Sequence, residues 1–160
     1  MGMDRVAGMR VTSRQVYVTG FFNHTADFGD THLRSAGQDD VFVTKLADHD
    51  STSRFVWTLQ AGSPGADQAT AIGVQGTNIY VAGDFEQTAR FGSLNLTSGE
   101  GADIFISKVE DRGPNARFVW AQRAGGAQGT DRVSALAVQG NRVYIAGHMG
   151  AAARTLDRRY

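Results

Sequence analysis

The sequence predicts an all-β protein made of β-propeller-like blades, and three observations carry that prediction. One segment recurs three times, apolar residues alternate with a period of two, and no stretch shows a helical stripe. Val16-Tyr17-Val18-Thr19-Gly20 returns as Ile79-Tyr80-Val81-Ala82-Gly83 and again as Val143-Tyr144-Ile145-Ala146-Gly147, at spacings of 63 and 64 residues. At the first spacing Phe28-Gly29 falls on Phe91-Gly92, and Asp40-Val41-Phe42-Val43 on Asp103-Ile104-Phe105-Ile106. Arg54-Phe55-Val56-Trp57 likewise falls on Arg117-Phe118-Val119-Trp120, and Ala61-Gly62 on Ala124-Gly125. Agreement this extensive marks a duplicated unit. The units run over 4–66, 67–130 and 131–160, and the last holds only the first half of the pattern.

Each element of the unit has its own signal. In Ala71-Ile72-Gly73-Val74 and Ala135-Leu136-Ala137-Val138 large apolar residues alternate with small ones, which fits a first strand crowded on one face. The second strand, Ile79 to Gly83, follows Gln75-Gly76-Thr77-Asn78; in the third copy the connection reads Gly140-Asn141, a two-residue hairpin signal. Phe91 to Leu96 suits a short ribbon. Ile104 to Val109 and Phe118 to Ala121 supply the third and fourth strands, joined by the turn Asp111-Arg112-Gly113-Pro114-Asn115. The unit is therefore expected to be a four-stranded antiparallel meander with a turn-rich excursion. Much of the glycine excess, 20 Gly against 2 Pro, lies at strand ends such as Gly20, Gly83 and Gly147 and at the joins Gly62 and Gly125-Gly126.

A sheet of four short strands cannot bury both faces alone, so such units stack face to face as propeller blades. A propeller closes with at least about four blades. About two and a half repeats therefore make an incomplete propeller: a fragment, one part of an oligomer, or an open arc. The isolated chain is expected not to be a stable monomer, because both end faces would expose apolar sheet.

Composition narrows the function classes. Sixteen basic residues balance sixteen acidic ones, which argues against a strongly basic nucleic-acid binder. With 41% hydrophobic residues the chain is not of disordered type, and without cysteine it has no disulfide framework, Cys-ligated zinc or thiol nucleophile. No apolar run approaches the roughly 18–20 residues of a membrane span, and the start, MGMDRVAGMRVTSRQ, lacks the apolar core of a secretory signal.

The repeated residues resemble the SBBP-type bacterial β-propeller repeat, which occurs in tandem in secreted and cell-surface proteins. The resemblance rests on Asp40-Val41-Phe42-Val43-Thr44-Lys45-Leu46, Trp57, Ala61-Gly62 and Tyr17-Val18-Thr19-Gly20-Phe21-Phe22 in the first unit. In the second it rests on Asp103 to Val109, Trp120, Gly125-Gly126, Tyr80 to Phe85 and Phe91-Gly92. It implies a propeller-like fold and an extracellular or cell-surface setting; a complete chain without an export signal would be cytoplasmic. It brings no catalytic residues. At the end of the sequence Ala153-Arg154 still follows the pattern of Ala89-Arg90, but Thr155-Leu156 replaces Phe-Gly and Asp157 to Tyr160 match nothing, as in a repeat broken mid-unit.

Each candidate for chemistry has a structural counterpart. Lysine occurs only at 45 and 108, one repeat position, against 14 arginines. The pair could form a ring of cations for an anionic ligand; the structural expectation is a strand-end lysine whose stem covers apolar surface and whose ammonium pairs with a carboxylate such as Asp48 or Asp111. Asp40 and Asp103 begin third strands, and Asp4, Asp67 and Asp131 begin first strands. Calcium needs about six to eight oxygen ligands, which no local run supplies, so these acids are expected to cap turn N–H groups. Trp57 and Trp120 could stack on a sugar, but their shared place in a Phe-Val-Trp strand suits packing between blades.

His24, His32, His49 and His148 fall at non-equivalent positions without metal spacing and are expected at the surface. Asn23-His24-Thr25 and Asn95-Leu96-Thr97 are glycosylation sequons. No nucleophile-elbow, phosphate-loop or HExxH motif is present, and Ser107 to Asn115 fails the Asp-box spacing. No catalytic, cofactor or metal residue is assigned. The expected function is a non-catalytic scaffold or recognition module. Its expected partners are further blades from the same or another chain, a homo-oligomer included, and a protein or carbohydrate ligand. The competing readings are a fragment of a propeller-based enzyme acting on polysaccharide, whose acids should break the repeat, and a non-functional truncated remnant.

Overall fold

A computed structural model describes residues 3–150; Ala153-Arg154 and the divergent tail from Thr155 lie outside them. Among the described residues the chain is strand and turn throughout, without helix. The first unit contributes β1 (Arg5–Thr12), β2 (Gln15–Phe28), β3 (Thr31–Asp48) and β4 (Ser53–Gly62). The second contributes β5 (Gln68–Gln75), β6 (Asn78–Phe85), β7 (Thr88–Phe91), β8 (Leu94–Thr97), β9 (Asp103–Asp111) and β10 (Ala116–Ala124). The third contributes the hairpin of β11 (Arg132–Gln139) and β12 (Arg142–His148). The fold is all-β and propeller-like, with an incomplete set of blades.

Within each blade the strands follow in antiparallel succession. β5, β6, β9 and β10 form a four-stranded meander, and β1 to β4 form its counterpart. The two-residue turns are entered through a left-handed residue at the same repeat position, Ser13 at φ 50°, Gly76 at 60° and Gly140 at 59°. Each first strand carries a bulge at one repeat position, between Val6 and Gly8, Ala69 and Ala71, and Val133 and Ala135. Opposite it the second strand closes on the carbonyl of the first. A Cβ at Gly20, Gly83 or Gly147 would collide with the carbonyl of Arg5, Gln68 or Arg132, which accounts for glycine at all three.

The excursion in the middle of the unit has two fates. In the first unit it continues β2 and β3 as one long hairpin, with Ala26 opposite Leu33 and Phe28 opposite Thr31. In the second it forms the separate ribbon β7–β8, which leaves its own blade and pairs with the outer strand of the blade before. Phe91 meets Ala61 there, and Arg90 meets Gly62. The ribbon is thus a hydrogen-bonded clasp between successive blades.

Stacking supplies the core. The main cluster joins Tyr17, Val41, Val43 and Trp57 of the first blade to Ile72, Val81, Phe91 and Phe105 of the second. The next joins Tyr80, Ala82 and Ile104 to Val133 and Leu136 of the third unit. The alternation of large and small residues in first strands is the device that permits this. The small residues of one blade make room for the large ones of the next: a Cβ at Gly73 would lie 2.6 Å from Leu136 Cδ2 and Val138 Cγ2.

A second bulge directs the aromatics. Lys45 pairs with Trp57 while the adjacent Leu46 pairs with Phe55, so Val56 is extra; Val119 is extra in the same way between Phe118 and Trp120. Phe55 and Trp57 therefore point to opposite faces. Phe118 packs edge-on against Phe91 at 5.5 Å, facing the preceding blade, and Phe55 packs in the same manner on Phe28 at 5.7 Å. Trp57 and Trp120 face the following blade beside Tyr17 and Tyr80.

Candidate functional site

The polar residues with repeated positions gather at the seams between blades. At the first seam Tyr17 on β2, Lys45 on β3 and Trp57 on β4 lie side by side, because these positions are cross-strand neighbours. They form a socket for Asp111, which stands at the end of β9 in the following blade. The Tyr17 hydroxyl and the Lys45 ammonium both donate to Asp111 Oδ2 at 2.7 Å, and the Trp57 indole N–H donates to Oδ1 at 3.1 Å. The turn completes the contact, since Gly113 N–H donates to Oδ1 at 2.9 Å and Asp111 N–H to the Thr77 carbonyl at 2.9 Å.

The whole cluster is buried: the side chains of Lys45 and Asp111 are 9% and 6% exposed. Burial opposes ionisation of Asp111, yet the Lys45 ammonium, the Tyr17 hydroxyl and the turn N–H hold its pKa below the ordinary carboxylate value. Burial, then the bond to Asp111, pushes the Tyr17 phenol above its ordinary value, so it stays a donor. The expected pairing of lysine with a carboxylate is thus present at Lys45, and of the two acids expected, Asp48 and Asp111, the partner is Asp111. It comes from the following unit, and the pair is buried rather than at a solvated strand end. Asp48, the counterpart of Asp111 in the first unit, is exposed.

At the second seam the same residue types recur. Tyr80 and Trp120 hold their rings at 6.2 Å and 48°, against 6.2 Å and 46° for Tyr17 and Trp57. Lys108 lies between them by the same pairings. Here they open onto a cavity of about 370 Å³ bordered also by Asn78, Gly140 and Asn141. Among the described residues no carboxylate is bonded to the Lys108 ammonium.

The acids at strand starts do a different job. Asp4, Asp67 and Asp131 accept N–H groups from Asn23, Glu86 and Gly150, one repeat position in three copies. They cap the exits of second strands. Asp40 accepts Ala36 N–H and Asp103 accepts Gly99 N–H, again in register. Burial, reinforced by the nearby Asp40 carboxylate, raises Asp67 to about 7 despite the N–H groups it accepts. Asp103 is raised mainly by burial but is also paired with Arg123 at 2.6 Å, whereas Asp40 has the neutral Gln60 amide at 2.7 Å in the corresponding place. Asp84, without such a cap, is raised by burial to about 6.

The remaining candidates are dispersed. His24, His32, His49 and His148 are all exposed, and His32 bonds Asp27 at 2.6 Å. Of the sequon asparagines, Asn95 is exposed on β8 and Asn23 donates to Asp39. The tyrosines of the sockets carry no signal as single residues. Their repetition in phase with lysine and tryptophan is the pattern that reveals the site. Comparison of the chain with protein-family models and with curated proteins found no match.

Proposed function

We propose that the chain is a non-catalytic stacking module, of the SBBP type its repeats resemble, which serves as scaffold or recognition part of a secreted or cell-surface bacterial protein. One observation carries this reading. Both ends of the stack expose the positions that are buried between blades inside it. Val6, Met9 and Val11 on β1 are 63%, 54% and 61% exposed, whereas Ala69 and Ile72, the counterparts of Val6 and Met9, are 1% exposed. At the other end Tyr144 is 47% exposed against 3% for Tyr17 and 6% for Tyr80. Apolar rows of this kind are built to meet another surface. The one that fits is a further blade, because the same rows meet a blade at both internal seams.

The polar residues support a structural role. Asp4, Asp67 and Asp131 recur as caps and Asp111 serves as an inter-blade lock, so the acids follow the repeat instead of breaking it as an active site would. Size exclusion with light scattering tests the reading. The wild-type chain is expected to associate with rising concentration, and Met9→Glu with Val11→Glu to shift it to monomer. A monodisperse, cooperatively unfolding wild-type monomer would sink the proposal.

A further inference from the structure

We infer that the ribbon of residues 25–34 is a preformed clasp for the outer strand of a further repeat unit, one ending in an Ala-Gly pair. This inference rests on the stacking role proposed above and specifies which segment grips the neighbour. The clasp between the two full blades is its template. There Phe91 and Arg90 of the second ribbon pair with Ala61 and Gly62 at the end of β4.

The first ribbon has the same form, although it continues the hairpin of its own blade. Thr25 pairs with Arg34 and Phe28 with Thr31, as Thr88 pairs with Thr97 and Phe91 with Leu94 one repeat on. Each ribbon is entered through a left-handed residue, His24 at φ 65° and Gln87 at 56°. Each turns at a left-handed glycine, Gly29 at 63° and Gly92 at 62°. One phenylalanine anchors each to its own blade. The Phe28 ring lies 4.8 Å from Phe42 and 5.7 Å from Phe55, and the Phe91 ring 5.0 Å from Phe105 and 5.5 Å from Phe118. A ribbon already held in the gripping form has little ordering cost to meet on binding.

The two ribbons differ in what covers their outer edge. Phe91 is 1% exposed beside β4, whereas Phe28 is half-buried and the Asp27 side chain is 72% exposed. Among the described residues no strand pairs with that edge. In a two-residue hairpin the residues flanking the turn bond each other, so Phe28 turns its main-chain groups inward. Those of Asp27 then point outward, at the position where Arg90 meets Gly62. The existing clasp also selects the occupant. Phe91 stands opposite Ala61, which is 1% exposed, and a Cβ at Gly62 would strike the Asp40 carboxylate, so the gripped end is small. Main-chain pairing to Asp27 supplies affinity, and the small residues let the strand close on Phe28.

The outer hairpin of the first unit is the sequence that the second ribbon grips, and it serves as the probe. A fluorescein-labelled peptide of residues 39–66, titrated into the full chain and followed by anisotropy, is expected to bind saturably. N-methylation of Gly62 in the peptide removes the donor that would face Asp27 and should weaken binding roughly ten-fold or more. In the receiving chain, with unchanged circular dichroism, Asp27→Pro should cause a comparable loss, because proline has no N–H to offer. Asp27→Ala keeps that N–H and should bind as wild type does. The methylated peptide leaves the receiving chain intact, so it decides the matter even where Asp27→Pro does not fold. Equal binding of the parent and methylated peptides, or no binding of the parent, would overturn the clasp. Equal binding of a peptide carrying Ala61→Phe would overturn it too, since the edge would then take any strand. Light scattering separates this from the stacking role: association that Met9→Glu with Val11→Glu abolishes would leave stacking intact without the clasp.

Discussion

The two seams of this molecule are chemically alike on one side and different on the other. On the receiving side, Tyr17, Lys45 and Trp57 match Tyr80, Lys108 and Trp120 in identity, pairing and ring geometry. On the donating side, the first seam has the inner strands β5 and β6 and the outer hairpin of β9 and β10, while the second, among the described residues, has β11 and β12 alone. The buried ion pair exists where the outer hairpin is present. The inner strands suffice to bury Val133 and Leu136, so apolar stacking and polar locking are separable contributions to one interface. A buried pair adds little net stability over an apolar substitute, because desolvation offsets its Coulomb gain. Its value here lies in register: a carboxylate that must meet three donors admits one placement of the next blade.

The largest expected effect comes from breaking the closed lock. Asp111→Ala leaves the Lys45 ammonium buried without a counter-ion and strands the Tyr17 and Trp57 donors. Removing one partner of such a cluster costs about 3–5 kcal/mol. Urea denaturation should therefore show a large drop in midpoint, and Lys45→Met should lose less, since the Asp111 carboxylate it leaves without a counter-ion still accepts from Tyr17, Trp57 and Gly113. A loss below about 1 kcal/mol for Asp111→Ala would mean that the cluster is hydrated in solution.

The acids at the seams give an intermediate effect. Asp67 is raised to about 7 by burial, so the folded chain holds a proton there between about pH 4 and 7 that the unfolded chain releases. Stability from this group is complete below the unfolded pKa and is lost as pH rises through the folded one, a decline on the order of 1–3 kcal/mol. Asp84, raised to about 6, acts in the same direction. The second seam answers the same problem with Arg123 beside Asp103, where the first has Gln60 beside Asp40. Gln60→Arg should copy that solution. It is expected to flatten the fall in urea midpoint between about pH 4 and 7, and an unchanged slope would show that the Asp40–Asp67 pair is not its source.

The repeat made most of the fold legible, because two copies of a strand read in phase expose their alternation and turns. The third and fourth strands and the hairpin turns are visible in this way. What sequence does not reveal is how blades meet. A period of two places Phe55 and Trp57 on one face, and only the bulge at Val56 separates them. The ribbon of Thr88 to Thr97 reads as a local excursion, yet its partner is β4 of another unit. Lys45 and Asp48 look like a pair because they are near in sequence. The true partner lies 66 residues away, and nothing in the spacing encodes the register between stacked sheets.

The smallest expected effects sharpen the comparison most, because they come from changes identical in chemistry to the largest ones. Asp48→Ala removes the counterpart of Asp111 from a turn that is exposed, as Asp48 itself is. Surface changes of this kind stay within about 0.5 kcal/mol. Lys108→Met removes the counterpart of Lys45, whose ammonium is bonded to no carboxylate among the described residues, so it should be neutral or slightly stabilising. The pair of comparisons, Asp111 against Asp48 and Lys45 against Lys108, measures the lock with the residue type held constant. If Lys108→Met cost as much as Lys45→Met, packing of the lysine stem rather than its ion pair would explain both. If it cost nothing alone but weakened a chain extended by one more hairpin, the cation would be kept for the next blade.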